Sequence, residues 1–88
     1  MQGYIPSMKR TRTRYYTLHA TSDQPYPLLS GAPLTNILAA RLEALTLARQ
    51  GYGGWIIRVQ EMHQEDWPED HWMIDHSVEK AIVWLEQF

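Results

Sequence analysis

The chain has 88 residues, no cysteine, a formal net charge of −2 and a 44% hydrophobic composition, which suits one domain with one core. The missing thiols exclude disulfide staples, thiolate catalysis and cysteine-based zinc frameworks. Four Trp, five Tyr and one Phe exclude a disordered chain, which has too little apolar surface to bury.

Charge is unevenly spread: residues 1–44 carry five basic against two acidic side chains, and residues 45–88 carry three against eight. Residues 1–12, with Gly3, Pro6 and a basic cluster at Lys9, Arg10 and Arg12, read as a flexible arm ahead of a single α+β domain over residues 13–88. Met8 is an alternative start. From Thr13 to Thr21 the side chains alternate, Tyr16, Leu18 and Ala20 against Tyr15, Thr17 and His19, which is the period of a half-buried strand. Pro25, Pro27, Gly31 and Pro33 then make residues 22–33 a long loop, pinned by Tyr26, Leu28 and Leu29 or kept for binding.

A helix follows from Leu34 to Gln50, where Leu34, Ile37, Leu38, Leu42 and Leu45 recur at helical spacing among alanines. Pro33 suits its first turn, Thr35 is a rival cap, and Gly51 is placed to end it in a left-handed conformation. The turn Tyr52, Gly53, Gly54 leads into a second strand, Trp55 to Gln60, with Trp55, Ile57 and Val59 on one face. Glu61 to His76 has no helical stripe and is broken by Pro68, with a short third strand at His71 to Asp75 that sets Trp72 and Ile74 on one face. Val78, Ala81, Ile82, Leu85 and Phe88 then predict a closing helix over Ser77 to Phe88, capped by Asp75 or Ser77.

The order is thus βαββα, or βαβα without the third strand. The expected fold is a small antiparallel sheet of two or three strands covered on one face by two helices. Leu38, Leu42, Ile57, Ile82 and Leu85, with Trp55 and Trp84, are the expected core. The longest apolar runs, such as Ala81 to Leu85, are far too short to span a bilayer, and no secretory-type segment opens the chain, so a cytoplasmic location is expected.

Glu61 to Glu79 holds seven carboxylates and three histidines with no Lys or Arg. His63, His71, His76 and Asp75 are ordinary metal-ligand types, but no two of these histidines have the four-residue helical spacing of a zincin, so a solvated acidic loop without metal is expected. His19 with Asp23 or Glu43, and Ser30 or Ser77, make triads only on paper, with no nucleophile elbow to support them. Gly51, Gly53 and Gly54 follow a helix and precede a strand, the reverse of a phosphate loop.

Two binding surfaces remain. Met62, Glu65, Asp66, Trp67, Glu69, Asp70 and Trp72 combine anchor-type apolar groups with carboxylates that would steer a basic protein partner. Lys9, Arg10, Arg12, Arg14 and Tyr15 combine phosphate-binding cations with a stacking ring, the alternative nucleic-acid reading. The expectation is a non-enzymatic, cofactor-free protein-binding module, an inhibitor or adaptor using the acidic loop. Its size and style are those of phage and mobile-element accessory proteins that act on nucleic-acid machinery.

Overall fold

The structure is a computed structural model that describes residues 8–20, 23, 28–29 and 33–88. Its elements are β1 (Lys9–His19), β2 (Leu28–Leu29), α1 (Ile37–Arg49), β3 (Gly54–Gln64), β4 (Met73–Ile74) and β5 (Ile82–Gln87). All strand pairings are antiparallel. β3 is the centre: β1 runs along one side of it for eleven residues, while β5 pairs with its first half and β4 with its second half on the other side. β2 extends the sheet beyond β1. The sheet curls into a half-barrel, with α1 packed on its outer face across β1 and β3.

Among the described residues, one helix and five strands replace the expected two helices on a two- or three-stranded sheet. The correction lies at Ser77–Phe88. Asp75 does take up a capping role, accepting from the Ser77 N–H and hydroxyl, but the chain turns there instead of winding on. Ile82, Val83 and Trp84 are β-favouring residues, and a lone helix of twelve residues is marginal. Pairing with β3 satisfies the backbone of both strands over Trp55 to Val59.

α1 starts at Asn36, whose Oδ1 accepts from Leu38 N at 2.7 Å, rather than at Pro33 or Thr35. It ends as expected before Gly51, at φ +87°. Its inward face is Ala40 and Ala44, both fully buried against Ile56, with Tyr15, Leu34, Ile37 and Leu85 around them. Leu38 and Leu42 lie about half a turn away from those alanines and are 61% and 69% exposed, which overturns their expected place in the core. The reason is a close approach. A Cβ on Gly54 would collide with the Ala44 carbonyl oxygen, so the helix backbone sits directly on β3 and only alanine fits between.

A second cluster, on the inner face, contains Leu18, Ile57 and Val59 with Tyr16, Trp55 and Ile74. Ile57 is buried there and Leu85 is half-buried, but Ile82 and Trp84 are exposed, another correction to the expected core. β1 begins at Lys9, so the end of the basic arm belongs to the sheet, whereas residues 1–7 of that arm and most of the 22–33 loop lie outside the described residues.

Candidate functional site

The β1–β3 register sets Arg10 opposite His63, Arg12 opposite Glu61, Arg14 opposite Val59, Tyr16 opposite Ile57 and Leu18 opposite Trp55 on the inner face. That face is therefore apolar at one end and charged at the other. Glu61, nearly buried, accepts from Arg12 Nε at 2.8 Å and from the Tyr16 hydroxyl at 3.0 Å. A carboxylate at such a depth needs this pairing, because losing one partner would strand its charge. The Tyr16 hydroxyl is held above the usual phenol range, first by burial and then by its bond to Glu61, with Arg12 and Arg14 opposing.

Beyond Gln64 the chain folds back in two turns, Trp67 N to Gln64 O and His71 N to Pro68 O. Buried His63 is the peg of this loop. Its Nδ1 lies 3.2 Å from Arg10 Nη2, and a guanidinium can only donate, so Nδ1 accepts. Nε2 then carries the hydrogen and donates to Pro68 O at 2.9 Å. Trp72 packs against the imidazole at 5.2 Å and Trp67 at 6.1 Å, and the Arg12 guanidinium lies 3.9 Å over the Trp72 ring. The Arg10–Glu69 bridge, at 2.8 Å, closes the loop over β1, but both side chains are exposed and such a pair adds about 1 kcal/mol at most.

On the outer face of the same end, buried Asp75 accepts from Ser77 and, at 3.2 Å, from Lys9 Nζ. The Ser77 hydroxyl, foremost, and Lys9 hold its carboxyl below the usual range against the opposing effect of burial.

The two residue sets read from the sequence as rivals meet where Arg10 pairs with Glu69 and where Arg10 and Arg12 lie over Trp72, while Lys9 and Arg12 end on Asp75 and Glu61, which belong to neither set. Arg14 donates to the Thr13 carbonyl and has no carboxylate partner among the described residues. Tyr15 points the other way, into the helix-side cluster, and its backbone bridges to Leu34. Within the loop set, Glu65, Asp66, Glu69 and Asp70 are exposed, while Met62, Trp67 and Trp72 are half-buried. Met62 and Trp67 line an outer-face hollow of about 410 Å³ together with exposed Met73, whereas Trp72 lies at the inner face under Arg12. Sequence reasoning missed Glu61, His63 and Tyr16 as organisers of this end. The available signal was the alternation of β3, which continues past Gln60 once Glu61 and His63 are read as inward-facing residues opposite arginines.

Among the described residues no three His, Asp or Glu side chains gather to hold a metal ion, and no helix is long and apolar enough to cross a membrane. No protein-family model matches the chain, and neither a curated protein nor a solved structure does.

Proposed function

We propose that this chain is a non-enzymatic protein-binding module that engages a basic protein partner with the loop end of its sheet. The observation that carries the reading is the hollow of Met62, Trp67 and Met73, at a loop end whose Glu65 and Asp66 side chains are exposed. Thioether and indole groups in a recess are the usual anchors of an interface, and a rim of carboxylates speeds encounter with a cationic surface. The loop is also pre-shaped by His63, so binding would order little new chain.

The nucleic-acid alternative has less to stand on, because three of the four β1 cations already neutralise carboxylates of the same end. Two measurements separate the readings: capture of proteins from nuclease-treated host lysate by wild type and Trp67→Ala, and anisotropy titrations with labelled single- and double-stranded oligonucleotides. A protein retained by wild type and lost by the variant, with no oligonucleotide binding, supports the proposal. Salt-sensitive oligonucleotide binding abolished by Arg14→Ala would replace it with the alternative.

A further inference from the structure

Among the described residues β5 pairs with β3 alone, and its outer edge carries no strand. Such an edge is a template for another chain unless Pro, Lys or a bulge guards it. β5, with the sequence IVWLEQ, has neither Pro nor Lys, and its one acid, Glu86, is held by Arg41 on α1. The register shift opposite Ile56 and Ile57 falls in the second half of the strand, so Ile82 to Trp84 run straight.

Backbone direction strengthens the case. Ala81 O accepts from Gln60 N and Val83 stands opposite Arg58, so Ala81 and Val83 face β3. In an antiparallel ladder the residues between them turn their N–H and C=O groups the other way. Those are Ile82 and Trp84, whose side chains are also 46% and 60% exposed on the inner face. The same two residues therefore offer unpaired backbone groups and uncovered apolar side chains.

We propose that β5 pairs antiparallel with β5 of a second copy of this chain across a twofold axis at Val83, making one continuous ten-stranded sheet. The occupant is a second copy because this strand is self-complementary in that register. Ile82 of each copy stands opposite Trp84 of the other, and both are residues whose backbone groups face outward. The two Ile–Trp pairs fall on one face, where aliphatic–aromatic cross-strand pairs are favourable. Shifting the register by two residues would set Trp84 against Trp84 but Ile82 against the charged Glu86. An isologous contact of this kind closes at two chains and leaves no further edge of β5 to grow from. The loop end is not involved, so the dimer stands or falls apart from the function proposed above. Only Ile82 to Trp84 of each strand pair in this register, because the register shift follows Trp84, so the contact is much smaller than a standard interface and dimerisation is expected only toward the upper end of the concentration series.

Sedimentation velocity over a concentration series tests this directly. Wild type is expected to move from 10.3 kDa to twice that mass as concentration rises, and Trp84→Lys, at an exposed position, is expected to remain monomeric with an unchanged far-UV spectrum. Because the chain has no cysteine, Val83→Cys gives an independent readout: oxidation should crosslink it into a covalent dimer, while Met73→Cys, on β4, should not crosslink. A wild type that stays monomeric up to millimolar concentration overturns the proposal. So does a dimer whose Met73→Cys variant crosslinks and whose Val83→Cys variant does not.

Discussion

Gly54 lies so close beneath Ala44 that a methyl group on it would overlap the Ala44 carbonyl oxygen. This contact decides how α1 sits on the sheet and which of its stripes faces inward. Gly54→Ala should therefore force the helix off β3 and cost about 1 to 3 kcal/mol, read as a lower urea midpoint.

The outward leucines should behave in the opposite way. Leu38→Ala and Leu42→Ala remove side chains that pack on little, so each should change stability by no more than about 0.5 kcal/mol. Ile56→Ala, at a fully buried position between sheet and helix, should cost about 2 to 5 kcal/mol. Chemical denaturation of the three variants under one set of conditions checks the contrast.

Stability should fall at both ends of the pH scale, for separate reasons. Asp75 has a lowered pKa, so its contribution is complete above the ordinary carboxylate value of about 4 and is lost as pH falls through its own lower one. Tyr16 has a raised pKa, so its contribution is complete below the ordinary phenol value of about 10 and is lost as pH rises through its own higher one. Urea titrations across pH should show Asp75→Asn flattening the acid limb alone and Tyr16→Phe the alkaline limb alone.

His63→Ala should loosen the loop without undoing the sheet. It removes the bond to Pro68 O and the ring that Trp67 and Trp72 pack on, at a cost of about 2 to 3 kcal/mol. Hydrogen exchange followed by mass spectrometry should show protection lost over residues 65–72 and retained over residues 54–60.

At the proposed binding surface, anchor and rim should separate kinetically. Trp67→Ala should weaken partner binding by about 2 kcal/mol or more, mainly through faster dissociation. Reversing Glu65 and Asp66 to Lys should slow association and reduce its salt dependence. Surface plasmon resonance at two ionic strengths distinguishes the two effects.

The helix and the two long strands were legible because their signals are local: alanine and leucine composition with Gly51 behind it, and strict alternation around Tyr16 and Ile57. β5 was not, because Val78, Ala81, Ile82, Leu85 and Phe88 satisfy a helical period while Ile82 and Trp84 also satisfy the period of a strand. What decides between them is the open side of β3, which no local window contains. The site was half legible for the same reason. Arg10, Arg12 and Glu69 were singled out, but as members of rival surfaces, and Glu61 was not, since Arg12 and Glu61 are 49 positions apart and meet only through the register of the sheet.

That central pairing also sets the order in which the molecule can assemble. β1 and β3 have no short hairpin between them: their nearest partners are His19 and Gly54, with α1 in the intervening chain. Closing so long a loop carries an entropic cost before any ladder bond forms, which places the domain among slow folders of high contact order. α1 shortens the search, because its packing on Gly54 and the bridge from Leu34 to Tyr15 bring the inner ends of both strands together. Growing outward from Leu18 and Trp55, the ladder would reach Lys9 and Gln64 last. The loop between β3 and β4 would thus take its shape on His63 only after the ladder has reached it, when the far end of the sheet is already held.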